Sequence, residues 1–238
     1  IQDTLLVRQL DDKKQLLQLA FTIAYYAKVN FESIFSPIQT WESLIYNYLY
    51  DTKRVPQIKF KQATKSEKYM GAYVMIPEPA MYPWVVSYDL ASLYPSLIRQ
   101  YNLGSETMVN LDDVPNELHS EYACENIDRL VKKEIDLSSL KDEKMCMTPN
   151  GFFYKNDKKS FLSQLMEDLF AKRVEEKRLL GKVSRELTTH KNQAVQDDGT
   201  ITELENRKAR HHMFQYTYKI LLNSCYGMLG STYSQWYD

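Results

Sequence analysis

The heptapeptide Asp-Leu-Ala-Ser-Leu-Tyr-Pro at residues 89–95 follows an apolar run, Trp-Val-Val-Ser-Tyr, at residues 84–88. This run has the length and the β-branched content of a buried strand. A carboxylate at the end of such a strand can bind a hard cation, and the helix that opens behind it presents free N–H groups to an anion. We therefore expect a metal ion and a phosphate group to meet near Asp89. A lone aspartate at a strand end more often stabilises only a turn, so this interpretation depends on further motifs.

Local signals predict the helix that follows this turn. Ser92 is a candidate N-cap, and Pro95 suits the first helical turn. Gly104 lies just beyond the predicted helix end near Asn102.

Two strands are predicted before this helix, at residues 69–76 and 84–89, with proline-rich breakers between them. They would form a small sheet that carries Asp89 on its last residue. Residues 105–150 mix polar, charged and short apolar pieces. We expect mainly irregular structure there, with a helix near residues 125–131.

Helical periodicity marks both ends of the chain. Apolar residues recur at helical spacing from residue 11 to residue 29, and Ser-Pro-Ile-Gln at residues 36–39 is a capping box that opens a second helix. Residues 161–195 and 201–222 are predicted as two long helices with a short turn between them. A tight turn between helices of this length indicates an antiparallel hairpin that projects from the body.

The composition is that of an ordinary soluble globular protein, with 44% hydrophobic and 26% charged residues in a chain of 238. No apolar run approaches the roughly 18 residues that a membrane span requires, so we expect no membrane partner. The formal net charge is -1, and any surface for nucleic acid must therefore be a local basic stripe.

The cysteines and the chain ends give two further expectations. Cys124, Cys146 and Cys225 lack the paired spacing of a zinc site or a disulfide framework, which fits a reducing compartment. The chain opens with Ile1 rather than methionine and carries no recognisable targeting segment. We therefore expect an internal piece of a longer protein.

Cationic and polar residues share faces of the two long helices. Arg173 and Lys177 lie one turn apart on the first helix, and Lys219, Asn223 and Tyr226 follow at i, i+4 and i+7 on the second. A planar guanidinium and mobile ammonium groups suit the oxygens of a polyphosphate. The two faces of the hairpin could close on such a ligand.

Each of these features alone is weak, because a charged pair at this spacing is usually a solvated helix face. Gly227 adds a position where a side chain would obstruct close approach of a ligand. Together with Asp89 and the helix-opening turn, the set assembles the parts of metal-assisted phosphoryl transfer to or from a nucleotide.

The residues also carry a family resemblance. Residues 89–98, Asp-Leu-Ala-Ser-Leu-Tyr-Pro-Ser-Leu-Ile, resemble motif A of the family B DNA polymerases, and residues 219–227, Lys-Ile-Leu-Leu-Asn-Ser-Cys-Tyr-Gly, are similar to motif B. Tyr-Met-Gly-Ala at residues 69–72 resembles the segment that links the exonuclease and polymerase regions. Tyr-Tyr-Ala-Lys at residues 25–28 resembles the enzymes of T4-like bacteriophages. The resemblance covers nearly the whole chain, most loosely residues 108–145.

The resemblance implies an α+β fold with a partial palm sheet, a long antiparallel helical hairpin called the fingers, and N-terminal helices from an exonuclease domain. The implied boundaries are 1–35 for the C-terminal end of a 3′-5′ exonuclease domain, 36–68 for a connecting helix and linker, 69–160 for the first part of the palm with an insertion at 108–150, 161–222 for the fingers and 223–238 for the return to the palm.

The resemblance implies roles for the residues of motif A. Asp89 would ligate two catalytic Mg²⁺ ions, and the carbonyl of Leu90 would complete the shell of the nucleotide-bound ion. Ser92 and Leu93 would offer backbone N–H groups to the triphosphate. The ring of Tyr94 would lie where a ribose 2′-hydroxyl projects and would exclude ribonucleotides by shape.

Further roles follow for the other segments. The resemblance implies that the triphosphate is bound by Arg173, Lys177 and Lys219, with Asn223 assisting. It implies that DNA is contacted by Tyr69, Gly71, Tyr226 and Gly227. Asp3 resembles a metal ligand of the exonuclease.

One departure from the family is important for function. Motif C, Tyr-x-Asp-Thr-Asp, supplies the second metal-binding carboxylate in the family and occurs nowhere in this sequence. We therefore expect the central fragment of a replicative DNA polymerase that is inactive in isolation. Its partners would be dNTP, primer-template DNA and the missing palm and thumb, in the cytoplasm of an infected bacterial host; the involvement of a sliding clamp is open.

Two alternatives stay open from the sequence. The chain can be one subunit of a naturally split polymerase whose partner supplies the missing carboxylate. It can also be a non-catalytic nucleic-acid-binding protein that keeps a polymerase-like helical hairpin.

Overall fold

A computed structural model of the chain describes residues 2–56, 74–114, 129, 132–134, 138–149, 151–193 and 197–237. In chain order the helices are α1 (Gln2–Lys14), α2 (Leu16–Ala27), α3 (Pro37–Asp51), α4 (Leu93–Gln100), α5 (Ser138–Asp142), α6 (Phe161–Lys191) and α7 (Asp198–Leu229). Short 3₁₀ turns occupy Phe31–Phe35 and Leu111–Asp113. Strands β1 (Met145–Met147) and β2 (Phe153–Lys155) form an antiparallel pair. The expected α+β class is confirmed.

The N-terminal region differs from the single helix predicted for residues 11–29. Gln15 adopts a left-handed backbone with φ 54°, and this residue separates α1 from α2. One half of the capping box at residues 36–39 is confirmed, because the Ser36 side chain accepts a hydrogen bond from the backbone N–H of Gln39 at 3.4 Å. The return bond of the box is replaced, since the Ser36 N–H donates to the Ser33 carbonyl at 3.1 Å. Pro37 is the first residue of α3, where a missing N–H is harmless.

The main hydrophobic core joins α2 and α3 to α4 and to the C-terminal part of α7, with α6 beside them. Trp41 of α3 is fully buried in this core. Its indole N–H lies 3.1 Å from the Leu221 carbonyl and 3.0 Å from the Ser224 hydroxyl, so it donates into α7. Each fully buried apolar side chain contributes about 1.5–3 kcal/mol to folding, so this core fixes the base of the helical hairpin.

The predicted antiparallel hairpin is formed by α6 and α7. The pairs Lys191–Glu205 and Glu186–Arg207 join the two helices near the turn at 2.6 and 3.9 Å, and His211 pairs with Glu176 nearer the base at 2.7 Å. Helix α7 continues past its predicted end at residue 222 to Leu229. It does so because Cys225 and Met228 extend the buried stripe of the helix.

The predicted sheet beside Asp89 is wrong for the described residues. Residues 74–76 and 84–89 belong to no helix or strand and pair with no strand in the described part of the chain, and residues 69–73 lie outside it. Trp84 and Tyr88 are each 92% exposed. An apolar run becomes a buried strand only where neighbouring strands cover it, and the described residues supply none.

The two strands of the structure lie instead in and just after the region predicted as irregular. Met145 pairs with Lys155 and Met147 with Phe153, and Phe153 is buried in a small separate core. The helix predicted near residues 125–131 falls almost entirely outside the described residues. Within the described ranges, none of the helices combines the length and apolar character needed to cross a bilayer.

Candidate active site

The turn after Asp89 is built differently from the sequence-based expectation. Ser92 precedes α4 in a left-handed conformation with φ 51°, and its side chain makes no capping hydrogen bond. Ser92 therefore occupies the predicted N-cap position of α4, but it lacks the side-chain hydrogen bond that a serine cap usually makes. Its hydroxyl instead accepts a hydrogen bond from Nη1 of Arg173 at 2.9 Å. Pro95 lies in the first turn as predicted and is buried.

The Ser92–Arg173 bond joins the turn to α6 across 81 positions of sequence. Arg173 is half-buried, and its Nε is shielded from solvent without a hydrogen-bond partner. Among the described residues, no carboxylate pairs with this guanidinium. A partly buried cation that lacks an internal counter-charge favours an external anion, because an unpaired charge is costly to shield from water.

The other predicted triphosphate ligands of the hairpin are exposed. Lys177 lies one turn beyond Arg173 on α6, and Lys219 and Asn223 lie on α7. The acidic neighbours on α6 are engaged elsewhere, since Glu175 pairs with Arg178 at 2.7 Å. That pairing lowers the pKa of Glu175, mainly through the hydrogen bond from Arg178.

Two tyrosines from the two family motifs lie against each other. The rings of Tyr94 on α4 and Tyr226 on α7 are stacked, with centroids 4.3 Å apart and an interplanar angle of 8°. Their exposed fractions are 39% and 38%, so the stack has a solvent-facing side. Gly227 beside it is exposed, and a Cβ atom there would meet nothing within 4 Å. A flat aromatic surface with open space next to it can receive a sugar or a base.

The candidate metal ligands are less organised. The Asp89 side chain is exposed, and in the described part of the chain no hydrogen bond or ion pair links it to the hairpin cations. Leu90 is 70% exposed. Carboxylate and carbonyl oxygens are the donors that Mg²⁺ prefers, but the described residues contain no cluster of three or more metal-ligating side chains. The donors present fit one part of a magnesium site and do not complete it.

The other predicted site residues lie at the start of α4, on α1 and in the part of the chain that the structure does not describe. Leu93 opens α4 and is 40% exposed. Asp3 lies exposed on α1, a helix that buries none of its residues. Tyr69 and Gly71 lie outside the described residues.

Asn102 is a structural residue whose importance sequence reasoning missed. It is 3% exposed, with φ 52°, and its side-chain amide donates to the carbonyls of Lys155 and Lys158 at 2.7 Å each. Its amide oxygen accepts the N–H of Ser160 at 2.8 Å. An asparagine after a helix is a recognisable stop signal in a sequence. Its hydrogen bonds to residues more than 50 positions away cannot be predicted from the local sequence.

Close packing completes this connection between α4 and α6. A Cβ atom at Gly104 would lie 2.5 Å from Cβ of Ser160, so only glycine allows the approach. The Ser163 hydroxyl also donates to the Ile98 carbonyl at 2.8 Å. These contacts fix the end of α4 on α6, and they hold Ser92 within reach of Arg173.

A second missed group ties the N-terminal helices to the hairpin. The ammonium of Lys172 donates to the Tyr26 hydroxyl at 3.0 Å, and the Tyr26 ring meets the ring of Tyr218 edge-on at 5.1 Å. Burial raises the pKa of Tyr218 to about 12, with smaller contributions from Tyr26 and Glu176. Burial also raises the pKa of the Cys225 thiol, so this cysteine is a packing residue of α7 rather than a nucleophile.

Comparison with known proteins agrees with this arrangement of helices and motifs. The model of DNA polymerase family B matches residues 34–238. The chain belongs to DNA polymerase family B.

Individual relatives support the resemblance to phage enzymes. The chain is similar to the DNA-directed DNA polymerase of Escherichia phage RB69, with 30% identity over 99% of this chain and 28% of the relative. It is similar to the polymerase of Enterobacteria phage T4, with 26% identity over 98% of this chain and 28% of the relative. The chain thus spans little more than a quarter of the length of these relatives.

The fold is also similar to a solved structure. The family B DNA polymerase of the hyperthermophilic archaeon Pyrobaculum calidifontis aligns with a TM-score of 0.57 and 18% identity, over 96% of this chain and 25% of that one. This likeness supports the fold class.

Proposed function

We propose that the chain supplies the incoming-nucleotide site of a DNA-directed DNA polymerase, which adds deoxynucleotides to a primer 3′-hydroxyl on a DNA template. The observation that carries the proposal is the bond between Ser92 and Arg173. It brings the turn after Asp89 to a cation that has no carboxylate partner among the described residues. The membership of family B and the phage relatives agree with this proposal.

The triphosphate is the part of the nucleotide that the hairpin would hold. Arg173 offers a planar fork to phosphate oxygens, and Lys177 on α6 and Lys219 on α7 add mobile charges. Asn223 assists as a neutral donor. The backbone N–H groups of Ser92 and Leu93 at the start of α4 would complete the phosphate contacts.

The Tyr94–Tyr226 stack would lie at the sugar and the base. In this proposal Tyr94 is held flat against Tyr226, so its ring cannot move away from an added 2′-hydroxyl, and ribonucleotides are excluded by shape. Tyr226 and Gly227 would contact the nascent base pair. Tyr69 and Gly71 are further proposed DNA contacts.

Bound Mg²⁺ ions would stabilise the attacking and the leaving oxygen of the transfer reaction. Of the ligands, Asp89 would supply one carboxylate and Leu90 its carbonyl, and a second carboxylate has to come from outside this sequence. We therefore propose that the chain alone has negligible synthetic activity. The exposed apolar run at residues 84–88 is where the strands of a complementing segment would pair.

Nucleotide binding tests the proposal directly. Isothermal titration of dATP into the 238-residue chain with Mg²⁺ should give weak binding that Arg173→Ala reduces by about tenfold, ~1.4 kcal/mol. Arg185→Ala is the matched control, because Arg185 is exposed on the same helix and its side chain donates a hydrogen bond to the Gly181 carbonyl of that helix. Equal dATP affinity for the two variants would contradict the proposed triphosphate site.

A chimeric enzyme tests the synthetic role. The chain would replace the matching 28% of the phage RB69 polymerase, and primer extension would be measured. Asp89→Asn should abolish extension, while Asp112→Asn, at an exposed site in the Leu111–Asp113 turn, should leave it unchanged. Undiminished extension by the Asp89→Asn chimera would favour a non-catalytic binding protein.

A further inference from the structure

A continuous stripe of polar side chains follows one face of α7. From the base of the hairpin outward its members share exposure to solvent and helical phase: Tyr226, Asn223, Lys219, Tyr216, His212 and Lys208. With 3.6 residues per turn, these positions fall within an arc of about 80° and extend over about 27 Å of helix. The inner end of the stripe is the proposed nucleotide site. The outer end has no role in that proposal.

The outer end of the stripe lines a cavity of about 590 Å³. The cavity lies between the junction of α1 with α2 and the outer part of the hairpin. Lys13 and Lys14 line it from α1, and Lys208, His212 and Tyr216 line it from α7. It is large enough for one nucleotide unit, since small-ligand sites measure about 300–1,000 Å³.

The aromatic side chains of the cavity are arranged in parallel. The rings of His212 and Tyr216 lie one turn apart with centroids separated by 6.2 Å and an interplanar angle of 9°. Tyr216 is 41% exposed, and His212 is also exposed. Parallel exposed rings offer a surface on which a nucleobase can stack.

The charges of the cavity favour an anion although the whole chain is nearly neutral. Its lysines outnumber its carboxylates, with Lys13, Lys14, Lys191 and Lys208 against Asp12 and Glu205. Glu205 is already neutralised by Lys191 at 2.6 Å. Apart from the Lys191–Glu205 pair, the lining residues include three lysines and one carboxylate, which is Asp12.

Apolar side chains form the rest of the lining. Leu187 and Met213 are buried and contribute to the walls from α6 and α7. An apolar floor, stacked rings and a cationic rim are the combination by which proteins hold single-stranded nucleic acid. Duplex DNA would be too wide to enter a concavity of this size.

We propose that this cavity binds a nucleotide unit of single-stranded nucleic acid, and that the strand continues along the α7 stripe toward Tyr226. Stacking on Tyr216 and His212 would hold a base, and Lys208 with the α1 lysines would hold the adjacent phosphates. This site goes beyond the proposed nucleotide site, because it needs neither a metal ion nor the triphosphate contacts of Arg173.

Fluorescence anisotropy tests the site on the 238-residue chain. The probe is a fluorescein-labelled oligothymidylate of about eight nucleotides, within the roughly 4–16 nucleotides that one single-strand site covers. The titration is done with EDTA, so that the proposed magnesium site takes no part. Tyr216→Ala should weaken binding at least about fivefold, the lower end of the range for loss of a base-stacking ring.

A second variant, which removes a charge, keeps the test informative if Tyr216→Ala does not fold. Lys208→Gln changes an exposed side chain, and it should weaken binding and lower the slope of log affinity against log salt by about 0.7. The matched controls are Tyr50→Ala, at a tyrosine that is 82% exposed on α3, and Lys182→Gln, on the surface of α6. Both controls should bind the oligonucleotide like the parent chain, and circular dichroism verifies the helix content of every variant.

Three results would overturn the cavity site. The first is parental affinity in both Tyr216→Ala and Lys208→Gln. The second is loss of binding in Lys219→Ala alone, which would place the strand only at the proposed nucleotide site. The third is displacement of the probe by free dTTP at equal concentration, which would make the cavity a site for free nucleotides. Failure of dATP binding in the Arg173 test would leave all three readouts unaffected, so the two proposals fail separately.

Discussion

Nη1 of Arg173 donates a hydrogen bond to the Ser92 hydroxyl at 2.9 Å, and this bond joins the first helix of the hairpin to the turn that carries motif A. The bond fixes the guanidinium while leaving the other N–H groups of its two Nη atoms for a ligand, because arginine has five donors and only Nε is shielded from solvent. The hydroxyl is neutral, so the contact orients the cation without cancelling its charge. In the proposed nucleotide site, Arg173 would therefore be oriented before the triphosphate binds.

Removing the acceptor should weaken nucleotide binding through loss of this orientation. Ser92→Ala deletes one hydrogen bond to a charged group, so dATP affinity should fall about threefold to tenfold. Ser96→Ala is the control, because its hydroxyl donates to the Ala91 carbonyl, just before α4, at 3.3 Å rather than to Arg173. Equal dATP affinity in the two variants, measured by titration calorimetry, would mean that Ser92 does not orient the cation.

Asn102 should be required for stability rather than for ligand contact. Asn102→Ala removes the partner of the Ser160 N–H, which is buried, and of the Lys155 and Lys158 carbonyls, which are partly buried. We expect the free energy of unfolding in urea to fall by about 3 kcal/mol, since each unsatisfied buried group costs about 1–3 kcal/mol and part of the loss is recovered by relaxation.

Asn192→Ala provides the comparison, because Asn192 is exposed at the end of α6. That change should alter stability by no more than about 0.5 kcal/mol. Asn102→Gly separates the two roles of the residue, because glycine relieves the left-handed backbone but restores none of the hydrogen bonds. If Asn102→Gly were as stable as the parent chain, backbone conformation rather than hydrogen bonding would explain the residue.

The sequence predicted those parts of the fold that depend on local periodicity. The long helices of the hairpin and the Ser36 cap follow from spacing within one segment, and the structure has both. The strand predicted at residues 84–89 failed because a strand depends on partners that are remote in sequence. Apolar and β-branched content shows that a segment is suited to a buried strand. It does not show that another strand is present to pair with it.

The candidate site likewise has features that local spacing predicts and contacts that it does not predict. Helical spacing placed Arg173 and Lys177 on one face, and it did the same for the polar residues of α7. The contact of Arg173 with Ser92 and the stack of Tyr94 on Tyr226 join segments that are far apart in sequence, so no local pattern encodes them. The bonds of Asn102 are equally remote.

Tyr218 should make the stability of the chain depend on alkaline pH. Burial raises its pKa to about 12 from the ordinary value of 10.0, so the folded chain holds this proton more tightly than the unfolded chain. The associated stability is fully present below pH 10.0 and is lost as the pH rises toward about 12. Tyr218→Phe should therefore flatten the fall in stability across this window.

Urea denaturation at a series of alkaline pH values measures this effect. Tyr233→Phe is the control, because Tyr233 is 88% exposed and this change should leave the pH dependence as it is in the parent chain. Tyrosinate absorbance gives a second readout, since the parent chain should contain a late-titrating tyrosine that Tyr218→Phe lacks. A parent chain and a Tyr218→Phe variant with identical pH profiles would show that Tyr218 titrates normally.

The Tyr94–Tyr226 stack should determine the choice between deoxyribonucleotides and ribonucleotides. Tyr94→Ala removes the ring, so the ratio of dATP affinity to ATP affinity should fall about tenfold, ~1.4 kcal/mol. Tyr94→Phe keeps the ring and its stacking, and it should keep the ratio. Tyr226→Leu removes the stacking partner and lets the Tyr94 ring move, so an intermediate ratio is expected. Competition titrations of dATP and ATP with Mg²⁺ measure all three; a ratio unchanged in Tyr94→Ala would show that the ring does not contact the sugar.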